Sequence, residues 1–124
     1  MATIRRFEEI EAWCDARLLA GAVYKRCRMG LLGKDYGLRE QMQRAAAATM
    51  ANIAEGFERR NFDDFSQFLR RARGSCAELR SHLYVALDAE LITRPAFDEL
   101  RELADRVAEK IDAFQRYLKE TADS

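Results

Sequence analysis

The second half of the chain carries the clearest pattern of hydrophobic and polar positions. Between residues 97 and 118, apolar side chains alternate spacings of three and four, which places them along one face of an α-helix. A similar stripe runs through the segment before it. We therefore predict two long amphipathic helices. Their expected core positions are Phe65, Phe68, Leu69, Ala72, Cys76, Leu79, Leu83 and Ala86, then Phe97, Leu100, Ala104, Val107, Ile111, Phe114 and Leu118.

Helix-breaking and capping residues divide the chain into four segments. We expect Asn61 and Thr93 to cap the helices that follow them and Gly56 to help end the second helix. Short connections make consecutive helices antiparallel neighbours. The pattern predicts an all-α protein with one domain over residues 1–124, an antiparallel up-down-up-down four-helix bundle. The predicted helices cover about residues 6–29, 36–57, 61–90 and 94–121.

Small and polar residues mark the contact expected between the second and third helices. Folding back at residues 59 and 60 places alanines 45–47 opposite Gly74, so that the two backbones can approach closely. Asn52 and Glu55 are expected to fix this helix pair through polar contacts. We call the full set the polar motif. It consists of Asn52, Glu55, Gly56, Gly74, Ser75 and Glu78.

The first helix is apolar on two arcs. One arc faces the bundle, and the second lies roughly opposite to it. Because only one arc can point inward, the outer one is expected to meet another subunit, which predicts a homo-oligomer. A wide core stripe with scattered exposed apolar residues would explain the pattern equally well. The outer arc consists of Phe7, Ile10, Cys14, Leu18 and Gly21.

Composition and charge limit the classes of protein. The 124 residues include 21 basic and 21 acidic side chains, so no net charge draws the protein to nucleic acid or membrane. The three cysteines form no CxxC pair and are expected to be free thiols in a reducing cytosol. No apolar stretch has the length of a signal peptide or a membrane span. A cytoplasmic protein is the expectation.

The sequence offers no set of residues for catalysis. His82 is the only histidine, and two helical turns, about 10 Å, separate it from Ser75. No phosphate-binding glycine loop and no zinc-ligand spacing occurs. We therefore expect no enzyme activity, no cofactor, no metal and no small-molecule substrate.

Arginines of the third helix and of the turn before it are candidates for binding nucleic acid. Several lie in a stripe with aromatic residues, a pattern that suits phosphates and stacked bases. The same arginines could instead be structural and pair with acidic residues of a neighbouring helix or subunit, with Glu55 and Glu78 as partners. In that case the protein would be a protein-interaction scaffold. The candidates are Arg59, Arg60, Arg70, Arg71, Arg73 and Arg80.

Several segments together resemble a known family, most specifically "ANIAEGFERR" at 51–60 and "FLRRARGSCAEL" at 68–79. The chain resembles bacterial four-helix-bundle proteins first noticed as reading frames within intervening sequences of 23S ribosomal RNA genes. The resemblance covers nearly the whole chain. It implies a ring-shaped homopentamer, similar in fold to the nucleic-acid-binding accessory proteins of diversity-generating retroelements. RNA or a ribonucleoprotein is the partner that we expect for the arginine-rich surface.

Overall fold

The computed structural model describes residues 3–123, and all regular structure in them is helical. This confirms the predicted all-α class and the four long helices. The elements are a 3-10 turn at Phe7–Glu9, α1 at Glu11–Arg26, a second 3-10 turn at Leu32–Lys34, α2 at Tyr36–Glu58, α3 at Phe62–Asp88 and α4 at Arg94–Asp123.

The first helix begins five residues later than the predicted start at residue 6. Ile10 has an extended backbone, with φ −78° and ψ 119°, and this separates the 3-10 turn from α1. The Glu9 carboxylate accepts hydrogen bonds from the amides of Arg5 and Arg6, both at 3.1 Å, which closes the turn. The hydrophobic spacing did not reveal this break, because Ile10 is apolar and buried in the core, as it would be in a continuous helix.

Side-chain caps begin the last two helices, as predicted. The Asn61 Oδ1 atom accepts a hydrogen bond from the Asp64 amide at 2.9 Å. The Thr93 Oγ1 atom accepts one from the Ala96 amide at 3.3 Å. Each cap satisfies a backbone donor that has no partner within its helix.

The end of α2 differs from the prediction. Gly56 lies inside α2, which continues to Glu58, so this glycine does not end the helix. The chain turns instead at Arg60, whose φ of 64° is in the left-handed region. Such a residue after the last turn is the usual way for a helix to end, although glycine or asparagine more often occupies it.

A single hydrophobic cluster receives side chains from all four helices. Each helix packs against the next one, and α4 packs against α1. Ion pairs join α1 to α4 at both ends, between Arg26 and Glu99 and between Lys110 and Glu11. The largest fully buried side chains are Ile10, Leu19, Val23, Leu32, Met42, Ile53, Leu69, Leu79, Leu83, Phe97, Leu100 and Ile111.

Gly56 rather than Gly74 marks the close approach of α2 and α3. A Cβ atom on Gly56 would lie 2.7 Å from Phe68 Cβ and 2.9 Å from Phe65 Cδ1. Gly74 is exposed, and a Cβ atom there would meet nothing within 4 Å. The packing role expected for Gly74 is therefore wrong. Helical spacing places Gly74 on the outer face of α3, two positions from the buried Cys76.

The outer arc of α1 is smaller than expected. Ile10 is only 1% exposed and belongs to the core. Phe7 is half-buried, and its ring packs edge-on against Trp13 with the ring centres 5.1 Å apart. The extended backbone at Ile10 turns both residues toward the bundle. The exposed members of the arc are Cys14, Leu18 and Gly21.

Candidate nucleic-acid interface

Two exposed arginines cover one aromatic ring where α2 meets α3. The guanidinium carbons of Arg59 and Arg71 lie 4.9 Å and 4.7 Å from the centre of the Phe68 ring. These are cation–π distances. The ring itself is only 6% exposed, because the arginines and the close approach at Gly56 cover it. The guanidinium groups are thus held in place while they remain accessible to solvent.

Aromatic packing also supports Arg60 at this end of the molecule. Its guanidinium carbon lies 5.4 Å from the centre of the Phe57 ring. Phe57 packs edge-on against Phe65, which packs in the same way against Phe114 of α4. A partly buried aromatic cluster therefore lies beneath the exposed arginines.

Carboxylates at the same end partly balance these charges. Glu55 pairs with Arg59 at 3.2 Å, and Glu58 lies 3.9 Å from Arg60. Both pairs are about half exposed, so their contribution to stability is small. For Arg70 and Arg71, no carboxylate of the described residues lies within 4.0 Å. We call Arg59, Arg60, Arg70 and Arg71 the arginine cluster.

The other two candidate arginines form ion pairs between α3 and α4. The Arg73 Nε atom lies 3.1 Å from Asp112 Oδ1, and the Arg80 Nε atom lies 3.4 Å from Asp105 Oδ1. Arg73 and Arg80 thus pair with acidic residues of a neighbouring helix, which is the contact that the structural interpretation expects. Their partners belong to α4 and are not the Glu55 and Glu78 expected from the sequence.

The polar motif does not join α2 to α3 through hydrogen bonds. The Asn52 side chain donates to the Ala48 carbonyl oxygen at 2.9 Å, within α2. Glu55 likewise pairs within its own helix. On α3, Ser75 is half-buried, and Glu78 lies 3.5 Å from His82 Nε2. The expectation that Asn52 and Glu55 fix the helix pair is wrong, because both side chains bond to residues four positions away in the sequence. The close contact between the two helices at Gly56 is apolar.

The buried thiols are poorly suited to nucleophilic chemistry. Burial raises the pKa of the Cys27 thiol to about 11, against the opposing effect of Arg39. Burial also raises the pKa of Cys76, whose Sγ atom donates to the Ala104 carbonyl oxygen at 3.2 Å. A thiol that stays protonated is a weak nucleophile. In the described residues, no group of three or more histidine, cysteine and carboxylate side chains is placed to hold a metal ion.

A second cationic surface lies in the turn between α1 and α2. Residues 25–39 contain five basic side chains and one acidic side chain. The sequence indicates this surface only through the excess of basic over acidic residues at positions 25–39. This local excess is easily missed, because the net charge of the whole chain is zero and the third helix is richer in arginine. Arg28 and Lys34 of this turn line one surface pocket together with Arg39 of α2.

No described helix has the length and apolar character needed to cross a membrane. The fold and the exposed arginines define an all-α, four-helix protein with a basic surface at each of two interhelix turns. The chain belongs to the family of 23S rRNA-intervening sequence proteins, whose family model matches residues 8–113. The resemblance to this family seen in the sequence is confirmed.

The fold has a counterpart among solved structures. The chain is similar to a protein of unknown function from the S23 ribosomal protein family of Bacteroides thetaiotaomicron VPI-5482, with a TM-score of 0.77 and 19% sequence identity. The alignment covers 84% of this chain and 97% of the other. At this identity the likeness shows the fold alone. Comparison with curated proteins gave no match.

Proposed function

We propose that this protein is a non-enzymatic nucleic-acid-binding or ribonucleoprotein-binding protein that uses the arginine cluster and works as a homo-oligomer in the cytoplasm. The observation that carries the proposal is the position of Arg59 and Arg71, whose guanidinium groups lie against Phe68 and remain exposed. Guanidinium groups donate paired hydrogen bonds that match the oxygens of a phosphate. Arg59 and Arg71 thus present two phosphate-binding groups supported by one aromatic ring.

The ion pairs within the cluster do not prevent phosphate binding. The Arg59 side chain is 49% exposed and the Glu55 side chain 55%, so water already competes for both partners. Nucleic acid has an additional advantage, because each phosphate that is neutralised releases condensed counterions. The family description, with its reference to 23S rRNA, supports RNA as the nucleic acid.

Assembly would multiply this weak surface. The α1–α4 ion pairs match Arg26 with Glu99 and Glu11 with Lys110, an order that supports the up-down-up-down arrangement. The exposed Leu18 on α1 supports an interface with a second subunit. We infer a ring, with five subunits as the number implied by the resemblance. Repeating one arginine cluster around a ring raises avidity without any new contact.

The test compares RNA binding by two double variants. With Arg59→Ala/Arg60→Ala, the slope of log affinity against log salt for single-stranded RNA should become shallower by about 1.4, or about 0.7 for each lost phosphate contact. Arg44→Ala/Arg94→Ala is the matched control, because both arginines are exposed and pair with a carboxylate four residues away. Fluorescence anisotropy at several salt concentrations measures the slopes. Absence of binding to single-stranded and structured RNA at low salt would refute the proposal.

The alternative is a protein-interaction scaffold with structural arginines. The pairs of Arg73 and Arg80 with α4 favour it for that part of the surface. If it holds for the arginine cluster as well, Arg59→Ala/Arg60→Ala should lower the thermal stability and leave RNA binding absent or unchanged. Recovery of the protein from its own cells with a protein partner and without RNA would support the scaffold.

A further inference from the structure

The turn between α1 and α2 holds the largest group of unpaired basic side chains in a short stretch of the chain. Of its five basic residues, Arg26 pairs with Glu99 of α4 at 3.2 Å. For the other four, no carboxylate of the described residues lies within 4.0 Å. This part of the surface is therefore strongly positive, although the whole chain is neutral. The four residues are Lys25, Arg28, Lys34 and Arg39.

Three of these cations converge on one surface pocket. Arg28, Lys34 and Arg39 line it together with residues of the turn itself, and no acidic side chain lines it. The only acidic residue of the segment, Asp35, caps α2 by accepting a hydrogen bond from the Leu38 amide at 3.1 Å. We call Arg28, Lys34 and Arg39 the cationic pocket.

The backbone of the turn is fixed in place around the cationic pocket. Leu32 is fully buried and anchors the turn in the core. The Arg39 Nη1 atom donates to the Gly33 carbonyl oxygen at 2.8 Å, which leaves the other guanidinium hydrogens available for a ligand. Gly30 has a φ of +56°, a left-handed conformation that glycine adopts without strain. An arriving anion would therefore find a preformed site.

Two basic side chains flank the start of α2. A helix N-terminus carries a partial positive charge that acidic residues usually balance in the first turn. The first turn of α2 contains no acidic residue, and Lys34 and Arg39 stand on either side of it. The Asp35 carboxylate, which accepts from the Leu38 amide, offsets this partial charge at the start of α2. The positive potential offered to an anion therefore comes from the basic side chains of the cationic pocket.

Tyr36 indicates which kind of anion the site fits. Its ring contacts one residue of the cationic pocket, with the Arg39 guanidinium carbon 4.6 Å from the ring centre. The residue is 69% exposed, which leaves ring surface free. An exposed aromatic ring beside phosphate-binding cations is the arrangement that binds single-stranded nucleic acid by base stacking. A free phosphate or a lipid headgroup would not use the ring in this way.

We propose that the cationic pocket binds a backbone phosphate of a single-stranded nucleic acid and that a neighbouring base stacks on Tyr36. The proposal rests on the proposed function for the class of ligand, but it assigns a different surface from the arginine cluster. The protein then has two separate nucleic-acid contacts, which can bind the same strand or two different strands. Either contact can be removed without touching the other.

Binding of an end-labelled oligouridine by four variants tests the proposal. Arg28→Ala/Lys34→Ala should make the salt slope shallower by about 1.4 through the loss of two phosphate contacts. Tyr36→Ala should weaken binding about tenfold and leave the slope unchanged, since stacking is not ionic, whereas Tyr36→Phe should bind like the wild type. Arg106→Ala/Lys119→Ala is the matched control, because it removes the same two residue types from exposed positions of α4, away from the cationic pocket.

Four results would overturn the proposal. The first is an equal change of slope in the two double variants, and the second is unchanged binding in Tyr36→Ala. The third is wild-type binding to phosphatidylglycerol vesicles without binding to oligouridine. The fourth is loss of binding in Arg59→Ala/Arg60→Ala but not in Arg28→Ala/Lys34→Ala, which would leave the proposed function standing. Loss of binding only in Arg28→Ala/Lys34→Ala would instead support the cationic pocket and reject the arginine cluster. Heteronuclear NMR of the wild type gives a check independent of folding, since the amide signals of Gly30 and Gly33 should shift with oligouridine.

Discussion

The two glycines at positions 56 and 74 lie in helices but in opposite environments. A methyl group added at Gly56 would be forced against the Cβ atom of Phe68, which is close to the backbone and cannot move without shifting α3. Overpacking of this kind costs about 1–3 kcal/mol. The better helix propensity of alanine offsets about 1 kcal/mol of that cost. We expect Gly56→Ala to lower the free energy of unfolding by about 1 kcal/mol in urea titrations.

Gly74→Ala is the control for this residue-scale prediction. The added methyl group would meet nothing within 4 Å, so only helix propensity should act. The free energy of unfolding should rise by about 0.5–1 kcal/mol. A change of the same sign in both variants would show that the close approach at Gly56 does not determine the packing of α2 and α3.

At the scale of the elements, ion pairs between α3 and α4 should contribute little stability each. The side chains of Arg73 and Asp112 are 36% and 41% exposed, so water screens their attraction. In a double-mutant cycle with Arg73→Ala and Asp112→Ala, we expect a coupling energy of about 0.5–1 kcal/mol, reduced by added salt. Urea unfolding of the four proteins measures it.

The pair of Arg94 and Asp98 is the comparison for this cycle. It lies within α4, and its side chains are 71% and 59% exposed. Its coupling energy should be smaller, about 0.3 kcal/mol. A loss of about 3 kcal/mol or more in Arg73→Ala would instead indicate a buried charge left without its partner, and would contradict the half-exposed geometry.

Helical periodicity predicted the elements much better than the contacts between them. The stripes of α3 and α4 were correct because a buried face must repeat every three or four residues. The same rule does not specify which helix a flanking residue meets, so the α4 partners of Arg73 and Arg80 were missed. The sequence pattern also does not distinguish a glycine needed for packing, such as Gly56, from an exposed one, such as Gly74.

At the scale of the whole molecule, the candidate sites were only partly visible in the sequence. The arginines near the α2–α3 turn were identified by residue type, but their support by Phe68 depends on the folded backbone. The cationic pocket leaves a weaker signal in the sequence. Arg28 and Arg39 are eleven positions apart, and only the compact turn around the buried Leu32 brings them to one pocket.

The proposed self-association would use the part of the α1 arc that remains exposed. Leu18 is 59% exposed at the centre of that arc, so an aspartate there should not disturb the core. In an assembly, Leu18→Asp would bury a charge in an apolar contact, and we expect at least about tenfold weaker association by sedimentation velocity. Val85→Asp on α3 is the matched control, with a 50% exposed apolar residue that lies outside the arc. A wild-type protein that stays monomeric at all concentrations, or equal effects of the two variants, would exclude this face as the interface.

If Leu18→Asp yields folded monomers, RNA titrations of those monomers would measure how much of the affinity comes from repetition of the arginine cluster, because each monomer keeps its own cluster.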